Sequence, residues 1–170
     1  MRIFICGLLL LISTTDAIAA QKGNTIVGLT LAIKDAKASG AITLQIDNSS
    51  QKPIRLWEEA NSWGAAHWRV LLVRDGRLET FFENPDQAFT RNFPAFYEIA
   101  AGRHIERTLD IAGEGWRGLD AQKIRFERGD VLIVIYDVPR PEVFPEFSVS
   151  VEADKMGVWY GVATAMTTVR

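Results

Sequence analysis

Short apolar segments that alternate with polar residues recur along this chain, and this pattern sets the strongest limit on its fold. Ile42, Leu44 and Ile46 are separated by single polar residues, and residues 26–33 and 105–111 repeat the alternation. Successive side chains of an extended strand point to opposite faces, so such a segment buries one face and exposes the other. No stretch sustains the period of an amphipathic helix. The pattern therefore predicts an all-β chain.

The predicted strands are separated by turn-forming residues. They cover residues 26–33, 42–46, 54–57, 68–73, 78–82, 105–111, 131–138, 147–151 and 158–166. The longer segments between them, 58–66, 83–94, 112–123 and 139–145, are predicted to be loops. Asp75-Gly76 predicts a tight hairpin, because both residues accept the positive φ values of such a turn. Residues 131–138 are apolar on both faces, which predicts a central strand.

About eight to ten short strands with turn residues between them favour an antiparallel, immunoglobulin-like β-sandwich. A closed barrel is the alternative. About 150 residues can bury a sufficient core without disulfides, and we see no internal repeat. Residues 21–170 are therefore predicted to form a single domain.

The N-terminal 20 residues have the layout of a secretory signal peptide. Arg2 precedes an apolar run from Ile3 to Ile12, and Ala17-Ile18-Ala19-Ala20 offers the small residues that a signal peptidase requires. We expect cleavage near Ala20, with a retained signal anchor as the competing interpretation. The mature chain would then be periplasmic or secreted, with no membrane span, because no later segment is long and apolar enough.

The expected mature chain has no cysteine, because the single cysteine of the protein, Cys6, lies in the signal peptide. It would also be nearly neutral. Removal of Arg2 and Asp16 leaves 18 of the 19 basic and 20 of the 21 acidic residues, so the net charge stays at −2. Neither a basic patch nor a polybasic run is present, so we expect no nucleic-acid partner. The oligomeric state is left open by the sequence.

Catalytic motifs are incomplete in this sequence. Asn61-Ser62-Trp63-Gly64 resembles the segment that carries the orienting asparagine of papain-like cysteine proteases, but the nucleophilic cysteine of such an enzyme is missing. His67 and His104 have no partner at a metal-ligand spacing. Ser62 lies outside a Gly-x-Ser-x-Gly elbow. We therefore expect neither a metal nor another cofactor, and no enzymatic activity.

Adjacent carboxylates leave one enzymatic alternative open. Glu58 and Glu59, with His67 nearby, would supply the acidic pair of an envelope hydrolase. Neighbouring residues on a strand point apart, however, which favours a solvated edge over a catalytic pair.

Tryptophan is concentrated between Trp57 and Trp68, where three of the five tryptophans fall within twelve residues. We expect Trp57 and Trp68 to pack in the core, as the central tryptophan of immunoglobulin sandwiches does. Trp63 lies in a predicted loop, and an aromatic ring beside polar groups suits recognition of a sugar or a protein. Another tryptophan lies in a second predicted loop. The candidate binding surface comprises Asn61, Trp63, His67, Trp116 and Arg117.

Part of the chain resembles secreted bacterial domains of immunoglobulin type. Ala101-Gly102 before a strand, Trp116 in the next loop and Arg128-Gly129-Asp130-Val131 before a core strand are similar to the layout of BsuPI-type proteinase inhibitor domains. The resemblance covers residues 101–138. It implies a binding module, and no inhibitory motif can be carried over residue by residue.

These observations together predict a non-enzymatic binding module of the cell envelope or the extracellular space. Its expected ligand is a protein, and the module would act in the manner of an inhibitor. The alternatives are a carbohydrate-binding module that uses its loop tryptophans, and the envelope hydrolase.

Overall fold

A computed structural model describes residues 28–59, 61–84, 88, 93–118, 124–139 and 156–170. These residues contain ten β-strands, whose pairings within the sheets are all antiparallel. The strands are β1 Leu29–Ala36, β2 Ala41–Asn48, β3 Ile54–Trp57, β4 Trp68–Arg74, β5 Arg77–Glu83, β6 Phe96–Ile99, β7 His104–Asp110, β8 Trp116–Arg117, β9 Val131–Val138 and β10 Gly161–Thr168. The predicted all-β class is confirmed.

The described strands form three sheets. One has the order β1-β2-β7, the second has the order β10-β9-β4-β5-β8, and the third consists of β3 and β6. Strand β1 of the first sheet lies against β10 of the second. The sheets do not close into a barrel, so the barrel alternative is wrong. No helix in the described ranges is long and apolar enough to cross a membrane.

Period-two alternation places the core between the two larger sheets. Ile42, Leu44 and Ile46 of β2 are fully buried, as the sequence predicts. The second sheet contributes buried side chains from every second position of its central strands. These are Trp68, Val70 and Leu72 of β4 and Leu132, Val134, Tyr136 and Val138 of β9. Strand β9 is an interior strand of its sheet, between β10 and β4, but only one of its faces is fully buried.

The predicted hairpin joins β4 and β5. Asp75 and Gly76 have φ values of 50° and 72°, which identifies the two-residue turn as type I′. Arg74 lies opposite Arg77 at its base. Because this turn matches the twist of the flanking strands, it fixes the register that brings Trp68 to the level of Glu83.

Two short strands lie outside the predicted set. Strand β6 pairs with β3, and β8 lies within the predicted loop 112–123 and pairs with the end of β5. Near the C-terminus, Val158 forms an isolated bridge with Arg55, and the regular strand begins at Gly161. The predicted strand 147–151 and the predicted signal peptide lie outside the described residues.

Candidate functional site

The two outer tryptophans of the tryptophan-rich segment lie in the core. Trp57 ends β3, Trp68 begins β4, and both are buried. The ring of Trp68 contacts that of Tyr136 at 4.4 Å between centroids, and Tyr136 stacks on Trp159 at 6.0 Å. These two tryptophans therefore hold β3 and β4 against the centre of the fold.

Asn61 organises the loop between β3 and β4. Its buried side-chain oxygen accepts hydrogen bonds from the backbone N–H groups of Trp63 at 2.9 Å and Gly64 at 3.0 Å. Its backbone carbonyl accepts a further bond from Ala65 at 3.0 Å. This is the local asparagine turn expected where a side chain replaces a backbone partner. The side-chain oxygen of Asn61 is thus occupied by backbone groups of its own loop.

The loop folds back closely on Glu58, the residue that follows β3. A Cβ atom at position 64 would lie 1.9 Å from the carbonyl oxygen of Glu58, so only glycine fits without movement of the backbone.

His67 ties this loop to the end of β9. Its ring Nδ1 lies 2.9 Å from the carbonyl oxygen of Asp137, and Nε2 lies 2.7 Å from the carbonyl oxygen of Trp63. Trp63 itself is half-buried and packs on the core. Asn61, Trp63 and His67 are thus brought together, as one hydrogen-bonded loop.

Trp116 and Arg117 occupy a different part of the fold. They form β8 at the edge of the five-stranded sheet, two strands away from β4. Trp116 is buried, whereas Arg117 is exposed. The five residues of the candidate binding surface therefore divide into two separate groups.

Glu59, in the loop after β3, is the centre of a polar cluster that includes residues of β4, β6 and β7. Its Oε1 accepts hydrogen bonds from the indole of Trp68 at 3.0 Å and from Nε of Arg107 at 3.1 Å. Its Oε2 accepts bonds from Nη2 of Arg107 and, at 3.4 Å, from the hydroxyl of Tyr97. The carboxylate is only 15% exposed. Both oxygens of the Glu59 carboxylate therefore accept hydrogen bonds from side chains of the protein.

A second carboxylate, Glu83, lies close to this cluster. Its Oε2 accepts a bond from the backbone N–H of Trp68 at 3.4 Å. Burial, and then the negative charge of Glu59, raise the pKa of Glu83 to about 7. The sequence identifies Glu59 as a candidate because it is one of two adjacent carboxylates. Its neighbours Arg107, Tyr97 and Glu83 lie in β7, β6 and β5, and no sequence signal links them to Glu59.

The outer face of the five-stranded sheet carries several apolar side chains, four of them exposed. We define this outer face by the side chains that β4, β5, β9 and β10 turn away from the core. Its apolar members are Leu71, Val73, Leu78, Phe82, Val131, Ile133, Ile135, Val162 and Met166.

Strand register makes the outer face continuous. Met166, Ile133 and Leu71 lie opposite one another across three strands, and the next row contains Val131 and Val73 with Leu78. Four of its side chains are open to solvent: Leu78 at 62%, Val162 and Met166 at 40%, and Phe82 at 39%. An ion pair between Arg69 and Asp137, 3.2 Å long, lies at one end.

Comparison of the chain with protein-family models, with curated proteins and with solved structures gives no match. Among the described side chains, no group of three or more His, Cys, Asp and Glu residues is arranged to hold a metal ion.

Proposed function

We propose that this protein is a non-enzymatic binding module of the periplasm or the extracellular space, and that its outer face binds another protein. The observation that carries the proposal is the set of exposed apolar side chains on that face, Leu78 and Phe82 of β5 and Val162 and Met166 of β10, with half-buried apolar side chains of β4 and β9 between them. Contiguous apolar surface of this kind is characteristic of protein interaction sites. The Arg69–Asp137 pair would set the orientation of the partner at the rim.

An immunoglobulin-like sandwich is the architecture that we propose for the domain. Two antiparallel sheets that bury alternate residues against each other, with β1 against β10, support it. Inhibition of an extracellular enzyme is one way in which such a module would act, and it follows from the resemblance of residues 101–138.

The geometry gives less support to a carbohydrate-binding module. Sugar recognition uses an aromatic ring presented to solvent, whereas Trp57, Trp68 and Trp116 are buried and Trp63 and Trp159 pack against the core. All five tryptophans thus contribute to packing.

The hydrolase alternative also has less support than protein binding. A carboxylate that attacks or activates water needs a free lone pair, but Trp68, Arg107 and Tyr97 already donate to both oxygens of Glu59. The hydrogen bonds of Glu59 therefore join the loop after β3 to β4, β6 and β7.

The proposal is tested by affinity capture from envelope and culture extracts. The bait is the parent protein, compared with Leu78→Glu and Phe82→Glu, each of which places a charge on the outer face. Thr108→Glu is the matched control, because it adds the same charge to an exposed position of β7. A Trp63→Ala bait tests the loop. Circular dichroism verifies that every bait is folded.

A protein retained by the parent, Thr108→Glu and Trp63→Ala, but lost by both outer-face variants, supports the proposal. Loss on Trp63→Ala alone would move the site to the loop. Equal retention by all baits would show that the outer face does not bind the partner.

A further inference from the structure

The outer face carries a few charged side chains beside its apolar ones. Arg69 of β4 and Asp137 of β9 form the ion pair at its end. Arg117 extends this face by one strand, to β8, because its neighbour Trp116 is buried and successive side chains of a strand point to opposite sides. Within the described strands of this sheet, these three are the only charged side chains that turn away from the core.

Strand register places an aromatic ring between two of these cations. Phe82 of β5 lies opposite Arg69 on one side and opposite Arg117 on the other. Directly opposite residues of an antiparallel pair lie on the same face of the sheet, with their Cβ atoms about 5 Å apart. Phe82 is 39% exposed, so its ring is open to a partner and has an arginine on each side.

The two arginines differ in how their charge is balanced. Arg69 donates a hydrogen bond from Nη2 to Asp137 at 3.2 Å. Arg117 is exposed and forms no ion pair with any other side chain that the structure describes. Two arginines and one aspartate give the outer face and β8 a formal charge of +1, whereas the whole chain has a net charge of −2. The surplus positive charge lies at Arg117.

An exposed arginine beside an exposed phenylalanine favours one kind of partner. A guanidinium group binds a carboxylate through two parallel hydrogen bonds, and an aromatic ring buries apolar surface at a low cost in entropy. Aromatic residues, Met and Arg are enriched at the centre of protein interfaces, where Lys, Glu and Asp are depleted. The strands of this sheet turn Phe82 and Met166 outward but no lysine and no glutamate, which agrees with that composition.

We infer that the partner protein presents an acidic side chain to Arg117, next to an apolar side chain that covers Phe82. This inference rests on the proposed function, because it names the chemistry of the partner that binds the outer face. Since Arg69 is already paired with Asp137, the acidic group belongs at the β8 side of the face. A basic segment at this position would be repelled by Arg117, and an uncharged one would leave its charge unbalanced.

Selection from a phage library of random peptides on the immobilised, purified protein tests this inference with a defined probe. The affinity of each selected peptide is then measured for the parent and for its variants. Arg117→Glu reverses the charge, and Phe82→Ala removes the ring without adding a charge. Arg103→Glu is the matched control, because it makes the same change of charge at an exposed position just before β7, in the other large sheet. Circular dichroism verifies that every variant is folded.

We expect the selected peptides to carry Asp or Glu beside apolar residues. They should bind Arg117→Glu about tenfold more weakly than they bind the parent or Arg103→Glu, because the reversed charge replaces attraction by repulsion. They should also lose affinity for Phe82→Ala. When the acidic residue of a peptide is replaced by lysine, its binding should weaken for the parent and recover for Arg117→Glu.

The pattern of losses separates this inference from the proposed function. Peptides that lose affinity for Phe82→Ala but bind Arg117→Glu as well as the parent would overturn the inference and leave the outer face as a binding surface. Peptides that depend on Arg117 but not on Phe82 would overturn it as well, since the apolar contact is part of it. Peptides insensitive to both substitutions, or a selection without binders, would count against the inference and the proposed function together.

Discussion

Glu83 should make the stability of this protein fall as the pH rises toward neutrality. Its pKa is raised from 4.5 to about 7 in the folded chain, by burial and by the charge of Glu59. Below pH 4.5 both folded and unfolded chains hold the proton. Between 4.5 and 7 the folded chain binds more protons than the unfolded chain, so the free energy of unfolding decreases with rising pH. Above 7 both states are ionised and the loss is complete.

The pKa values give the size of the effect. A change from 4.5 to about 7 corresponds to a loss of up to about 3 kcal/mol. Glu83→Gln keeps the shape and the hydrogen-bond acceptor but cannot ionise. The variant should match the parent near pH 4 and exceed its stability by up to about 3 kcal/mol at pH 8.

The assay is urea denaturation of parent and variant at intervals from pH 4 to pH 8. Subtracting the free energy of unfolding of the parent from that of the variant at each pH removes the contribution of all other titrating groups. Glu106→Gln, an exposed substitution on β7, is the control. Its free energy of unfolding should differ from that of the parent by nearly zero at every pH. If the free energies of unfolding of Glu83→Gln and the parent depend on pH in the same way, the pKa of Glu83 is not raised in the folded chain.

Three further predictions concern the hydrogen bonds that join distant segments. Asp130→Asn should lower the free energy of unfolding, measured by urea denaturation, by about 2 kcal/mol. The reason is that the buried carboxylate of Asp130 accepts hydrogen bonds from Arg74 at 2.9 and 2.6 Å. Since Arg74 holds the pKa of Asp130 below its usual value, the parent should lose this contribution as the pH falls below about 4, whereas the variant should not. Arg107→Met should lower the midpoint of thermal unfolding by removing the ionic partner of Glu59, at a cost of about 2 kcal/mol, and an unchanged midpoint would contradict this. Asn61→Ala should cost about 1 kcal/mol and increase proteolysis between β3 and β4, whereas resistance equal to the parent's would show that the loop does not need the amide.

Local patterns in the sequence predicted much of the strand content. The bounds 54–57 and 131–138 agree with the structure, because each segment carries its own apolar pattern and adjoining turn residues. The type I′ hairpin follows from Asp75-Gly76 alone. Strands β6 and β8 were missed. They are short, and their extended form depends on partners at residues 54–57 and 82–83, which lie far away along the chain.

The arrangement of side chains in space was less predictable than the strands. Glu59 was singled out by residue type, but its cluster requires β3, β6 and β7 to meet, and alternation does not encode strand order. The apolar residues on the second face of β9 predicted a strand at the centre of the fold. In the structure these residues contribute to the outer face, so the same pattern indicates a surface rather than a second core layer.

The ring stack of Trp68, Tyr136 and Trp159 gives the protein an intrinsic optical reporter. Three aromatic groups from distant parts of the chain contact one another only when β4, β9 and the segment before β10 are assembled. Near-ultraviolet circular dichroism and the emission wavelength of tryptophan therefore report on formation of the central sheet without an attached dye. Binding of a ligand that leaves this sheet undisturbed and does not contact Trp63 would leave both signals unchanged.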